Sequence, residues 1–170
     1  NGWFSMDEVI YADCASDNAY NPFTWEGWAV QAAGTATPTD PGYSYMGYGN
    51  MVRYNNFLEN IHRPEMNEDL RKRLTAEVRF LRALYHHELF RFYGALVIGD
   101  KELDPLLYDE IKRESLETTV RWIANEFKEL AEPGVLPDKY DAADYGRATR
   151  GAALGYLART LLYAASPLHN

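Results

Sequence analysis

The stretch from Asn67 to Gly94, NEDLRKRLTAEVRFLRALYHHELFRFYG, constrains the fold more than any other part of the chain. Its large apolar side chains fall at Leu70, Leu74, Val78, Leu81, Leu84, Tyr85, Leu89 and Phe92. Apart from the Leu84/Tyr85 pair, these positions recur at the spacing of one face of an α-helix, and a strand is excluded. Both ends carry the expected signals. Asn67 is a candidate N-cap, Glu68 and Asp69 place negative charge in the first turn where the helix dipole favours it, and Gly94 can supply the left-handed residue that closes a helix. The interior contains no Pro or Gly and is rich in Leu, Arg, Ala and Glu, so intrinsic propensity agrees with the pattern. At about 1.5 Å per residue the helix spans roughly 40 Å.

Shorter companions flank it. Tyr43 to His62 reads as a helix with an uneven apolar stripe through Tyr45 or Tyr48, Met51, Val52, Asn55, Phe57, Leu58 and Ile61, stopped by Pro64. Asn55 and Asn56 stand side by side in it, and one of them is expected to bond a neighbouring loop from the interior. Ser115 is the N-cap of a further helix whose apolar residues are Leu116, Val120, Ile123, Phe127 and Leu130, ended by Pro133 and Gly134. Thr149 caps the last helix, which Pro167 closes, with Leu154, Leu157, Leu161 and Leu162 expected to supply its burial. Gly151, Ala152, Ala153, Gly155 and Ala158 leave part of that helix with little bulk, so another helix can approach it closely. The pattern predicts an all-α chain. No clean repeat is visible, so periodicity alone gives a helical array and nothing finer.

Composition narrows function by exclusion. The formal net charge of −8 opposes nucleic-acid binding, which requires a basic patch, and the nearest candidate, Arg71 to Arg73, follows Glu68 and Asp69 on the same helix. Cys14 is the only cysteine, so no internal disulfide can form. His86 and His87 are adjacent in a helix and point about 100° apart, so they cannot chelate one ion together, and HHEL is not a zinc-protease arrangement. No metal or cofactor site is expected. No nucleophile, base and oxyanion group can be assembled from spacing, and no Gly-rich phosphate loop occurs, so the chain is read as non-catalytic. Arg79, Arg82 and Arg91, with Glu77 and Glu88, are read as side-chain pairs and carbonyl caps between helices.

The first forty residues differ in kind. Ser5 to Tyr11 suggests a short helix, and the remainder of the stretch from 11 to 42 is an irregular segment dense in Asp, Asn, Gly, Pro and Thr, the residues that punctuate loops. Embedded in it are Tyr11, Tyr20, Phe23, Trp25 and Trp28, a share of an aromatic content of 14% that is high for a globular chain. Indole rings stack on the C–H faces of a pyranose while neighbouring carboxylates and amides bond its hydroxyls, so such a loop suits sugar binding. The structural alternative is that Trp25 and Trp28 plug the loop onto the helices.

Three runs also carry a family resemblance. AEVRFLRALYHHELFRFYG resembles the E-A-R-F-L-R-A-x-Y-Y-x-x-L-x-R-x-Y-G signature of the SusD/RagB family, the surface glycan-binding lipoproteins of Bacteroidetes nutrient-uptake systems. YNNFLENI, from Tyr54 to Ile61, resembles that family's I-x-R-A-N-x-F-L-E-N-I helix, and GRATRGAALGYLARTLLYAASPLHN, from Gly146 to Asn170, resembles its G-R-A-T-K-G-A-A-L segment. The family's usual Val-Pro after the central helix is replaced here by Leu96 and Val97. The resemblance implies a tetratricopeptide-like α-solenoid of helix pairs with long irregular loops over residues 1–170, as the N-terminal helical part of a longer chain. It implies glycan capture at the extracellular face of the outer membrane and delivery to a SusC-like TonB-dependent transporter, with membrane attachment through a lipid anchor that this chain lacks. Cys14, preceded by the acidic DEVIYAD, is not read as that anchor. By position, Asp17, Asn18, Tyr20, Asn21, Trp25 and Trp28 are the ligand-binding candidates. The competing class is a helical-repeat scaffold that binds a protein and no sugar.

Overall fold

The computed structural model describes residues 12–40, 48–101, 106, 109 and 111–169. The chain falls into two units, Asn1–Met46 and Gly47–Asn170. Among the described residues the first unit contains helix α1 (Gly27–Ala32), and the second contains α2 (Gly49–Asn60), α3 (Glu68–Tyr93), α4 (Leu116–Leu130) and α5 (Arg150–Ala164), with a single 3-10 turn at Ala142–Asp144 between the last two. No strand occurs among them. The expected short helix from Ser5 to Tyr11 and the start of the second at Tyr43 lie outside the described residues.

The caps of the second unit follow from its sequence. Asn67 Oδ1 accepts from the Asp69 and Leu70 N–H groups at 2.8 and 3.2 Å, and Gly94 closes α3 at φ 68°, where a side chain would be strained. Ser115 Oγ accepts from Thr118 N at 3.0 Å to open α4, and Thr149 Oγ1 accepts from Ala152 N at 3.2 Å to open α5. At the end of α2 the guanidinium of Arg71 donates to the carbonyl of the C-cap Ile61, an acceptor that the helix leaves orphaned, and to that of Pro64 in the following turn.

The fold is all-α, with α2 against α3, α4 against both α3 and α5, and α3 also touching α5, in tetratricopeptide-like helix pairs. Helix α3 therefore has neighbours on more than one side, and one stretch of it is buried all round: every residue from Arg82 to Phe90 is buried. This corrects the single-face reading of α3. Leu70, Leu81 and Phe92 are exposed, while Ala76, Phe80, Ala83 and Phe90 are interior. The last helix is corrected in the same sense. Leu154, Leu161 and Leu162 face outward, Leu162 being 74% exposed, and Ala153 and Thr160 are sealed. Tyr156 and Tyr163, on the same side as Ala153 and Thr160, supply the bulk. The Phe80, Phe127 and Tyr156 rings meet where α3, α4 and α5 converge, at centroid distances of 5.6 to 5.9 Å. Two of these contacts are edge-on and one is stacked.

Burying both sides of α3 encloses polar groups, most of whose donors and acceptors are paired, while Arg82 Nε and His87 Nε2 are buried without a hydrogen-bond partner among the described residues. Arg82 Nη1 donates to Asn55 Oδ1 at 3.1 Å and to the Asp100 carbonyl at 2.6 Å, and Asn55 Nδ2 donates to the Gly99 carbonyl at 3.2 Å. The predicted interior Asn of α2 is thus Asn55. Gly99 N–H donates to His86 Nε2 at 3.0 Å, so the proton sits on Nδ1, which donates to the Arg82 carbonyl at 2.9 Å. His87 Nδ1 lies 2.9 Å from Thr160 Oγ1, whose own hydroxyl donates to the Tyr156 carbonyl, so His87 is the donor in that pair. The two histidines face different neighbours, His86 the Trp122 ring of α4 and His87 the Tyr156 and Tyr163 rings of α5. Arg79 binds Glu126 at 2.8 Å and Glu129 at 2.7 Å, tying α3 to α4.

Two outcomes follow from this packing. Burial pushes the pKa of both His86 and His87 down to about 4, below the ordinary value near 6.5, so both are neutral in the folded protein. The unfolded chain takes up these protons first as the pH falls. The stability they contribute is present above about pH 6.5 and is lost toward about pH 4, up to about 3 kcal/mol for each histidine. Urea denaturation at pH 7.5, 6 and 5 should show this decline before the carboxylates titrate, and His86→Gln with His87→Gln should flatten it. A flat profile in the unaltered protein would refute neutral burial. Second, Ala153→Leu is expected to overpack the sealed side of α5 and cost about 1 to 3 kcal/mol, whereas Leu162→Ser on the outward side should stay within about 0.5 kcal/mol; equal effects would contradict the assignment of faces.

Candidate functional site

The aromatic segment of the first unit is built around Glu26. The Phe23 carbonyl accepts from Glu26 N at 3.0 Å, closing a turn, and Glu26 then serves as the N-cap of α1: its Oε2 accepts from Trp28 N at 3.2 Å. The same oxygen accepts from Asn21 Nδ2 at 3.1 Å, while Asn21 Oδ1 accepts from Phe23 N at 2.9 Å. Asn21 and Glu26 thus form a closed polar frame around residues 22–25. Helix α1 ends at Ala33, followed by Gly34 at φ 67°.

This frame sorts the aromatic residues into two kinds. Trp28, the second residue of α1, is 8% exposed, and Ala29 beside it is also buried. Trp25, at the tip of the framed turn, is 79% exposed. Its ring meets that of Phe23 at a centroid distance of 5.6 Å and an angle of 43°, and Phe23 and Tyr20 are themselves exposed. Among the candidates, Trp25 and Tyr20 therefore present open rings, Trp28 does not, and Asn21 has both ends of its amide engaged within the frame. Asp17 and Asn18 are exposed in the preceding turn, where Asn18 N donates to Ser16 Oγ at 3.2 Å. Glu26 was not singled out by sequence reasoning, and Phe23 was named among the loop aromatics but not as a ligand-binding candidate. The available signal was local: an acid two residues before the first buried residue of α1, and two aromatics spaced F-x-W across a turn.

Chemically, the surface offers flat apolar rings with nearby carboxylate and amide groups. Such a surface can stack on a sugar face and bond its hydroxyls. Elsewhere, His86 and His87 are sealed in the helical core with their Nδ1 atoms committed to hydrogen bonds. Among the described residues no cluster of three His, Cys, Asp or Glu side chains converges as a metal site, and no helix is long and apolar enough to cross a membrane.

The comparisons with known proteins agree with this architecture. A family model described as SusD-like, starch-binding and associating with the outer membrane matches residues 5–162. No curated protein matches the chain. Among solved structures, a SusD-like protein from Bacteroides fragilis is 29% identical with a TM-score of 0.78, over 95% of this chain and 32% of its own. A laminarin-binding SusD-like protein is 25% identical with a TM-score of 0.78, over 91% of this chain and 34% of its own. A SusD-like carbohydrate-binding protein from Bacteroides fragilis is 27% identical with a TM-score of 0.60, over 68% of this chain and 22% of its own. The chain thus spans about a third of the length of the first two of these structures and about a fifth of the third. A match extending over nearly its whole length, together with the three signature runs and the helix pairing, places this chain in the SusD-like family.

Proposed function

We propose that this chain is the helical part of a cell-surface glycan-binding protein that passes oligosaccharide to a SusC-like TonB-dependent transporter of the outer membrane. One observation carries the glycan reading: Trp25 stands 79% exposed on a turn held by the Asn21–Glu26 frame, three residues from a Trp that is buried. A large apolar ring held open to water on a fixed backbone has little freedom left to lose on binding, which favours its use as a stacking surface. Membership of a family described as starch-binding supports the ligand class, and so does a relative described as laminarin-binding. In this reading Trp25, Phe23 and Tyr20 stack on the sugar, Asp17 and Asn18 bond its hydroxyls, and Trp28 and Asn21 support the backbone. The role is capture without turnover, at the extracellular face of the outer membrane.

A second reading, a helical-repeat scaffold binding protein only, is favoured by the outward leucines of α5. Isothermal titration against laminarin and a panel of other soluble glycans separates the two. Trp25→Ala is expected to weaken glycan binding about fivefold to tenfold, the loss of roughly 1 to 1.4 kcal/mol of stacking, with no change in melting temperature. Trp28→Ala should instead lower stability by about 3 to 5 kcal/mol. Glycan binding that Trp25→Ala leaves intact would remove the stacking role, and no heat with any glycan would favour the scaffold.

A further inference from the structure

The connection between α4 and α5 presents a second open ring. It runs from Ala131 to Thr149, and a cleft of about 310 Å³ is lined among others by Asp138, Lys139, Tyr140, Tyr145, Arg147 and Thr149. That volume is at the lower end of the range of small-ligand sites. Tyr145, on its rim, is 89% exposed.

The backbone on both sides of Tyr145 is fixed. Asp144 Oδ2 accepts from Arg73 Nη1 at 3.1 Å and its Oδ1 from Arg147 Nε at 2.6 Å. Arg147 Nη1 continues to Glu77 Oε2 at 2.8 Å, and Tyr140 OH donates to Glu77 Oε1 at 2.8 Å. Arg150 Nε donates to the Ala131 carbonyl at 2.7 Å, anchoring the far end. Burial, with Glu77 as hydrogen-bond acceptor, pushes the Tyr140 hydroxyl up to about 12, so it remains a donor throughout the neutral range. Tyr145 itself is extended, at φ −57° and ψ 135°, between the 3-10 turn and Gly146 at φ 94°. The loop is thus bolted to α3 by residues flanking an aromatic ring that the same loop leaves in solvent.

We propose that this cleft is a second glycan subsite, holding one sugar unit against the Tyr145 ring; the proposal rests on the reading that the chain binds glycan. The groups left for a ligand are mixed in kind. Asp138 is an acceptor only loosely held by Arg150 at 3.4 Å, Lys139 is a donor, and the Thr149 hydroxyl can donate while its oxygen caps α5. Opposite charges on one rim disfavour a strongly charged ligand, whereas a ring bearing several hydroxyls satisfies donor and acceptor together. Tyr adds contact area at low entropic cost because it has few rotatable bonds. The ring and the rim groups do not hold the loop in place, so Tyr145→Ala and Lys139→Met leave the fold unchanged.

The test is isothermal titration with the hexasaccharides of laminarin, starch and xylan, on the unaltered protein and on Tyr145→Ala, Lys139→Met and Trp25→Ala, with thermal melts alongside. Tyr145→Ala is expected to weaken at least one of these glycans by fivefold or more at an unchanged melting temperature, and Lys139→Met to weaken the same glycan by a smaller factor. If Trp25→Ala weakens binding and neither Tyr145→Ala nor Lys139→Met does, the subsite is overturned while the aromatic surface of the first unit stands. If Tyr145→Ala weakens binding and Trp25→Ala does not, the subsite stands and that surface falls. Absence of binding by the unaltered protein overturns both.

Discussion

Arg82 is a charge placed inside the helical unit, and the arrangement of its neighbours follows from the need to satisfy it. Its guanidinium reaches the Asn55 side chain on α2 and the Asp100 carbonyl in the chain that follows α3, with Glu126 of α4 at 3.5 Å. A buried charge lacking such partners would cost several kcal/mol, so the register of α2, α3 and the returning chain is fixed together. His86 extends the same network by accepting from Gly99 and donating back to the Arg82 carbonyl. Apolar packing alone would tolerate slippage of one helix along another. A set of polar groups bonded to one another across the helices does not.

The helix ends were legible from the sequence because their causes are local. Asn67, Ser115, Thr149 and Gly94 act on backbone groups within one turn of themselves, and all four do what their chemistry suggests. Burial was less legible, because it depends on how many neighbours a helix has. Leu81 fits the apolar period of α3 and is exposed, whereas Arg82, next to it, is enclosed. In α5 the leucines drew attention by their size, yet Ala153, Thr160 and two tyrosines form the packed side. Periodicity identifies a face; the partner decides which residue types suit it.

The aromatic segment shows the same limit at closer range. Trp25 and Trp28 are alike in composition and setting, and no periodic signal separates them. What separates them is a single carboxylate: by capping α1, Glu26 turns the chain so that Trp28 enters the helix while Trp25 stays on the preceding turn. A helix of only six residues is too short for sequence pattern to announce. The pairing of Arg73 and Glu77 with the loop before α5 was hidden for another reason, since it joins residues some seventy positions apart.

The division between Trp28 and its outward neighbours bears on how such a chain can diversify. Residues that hold the segment (Asn21, Glu26, Trp28) are distinct from those that meet solvent (Tyr20, Phe23, Trp25). Exchanges among the second group change surface chemistry while incurring little folding penalty. Preference for one partner over another can therefore drift by point substitution on a constant framework, with no need to rebuild the rest of the fold.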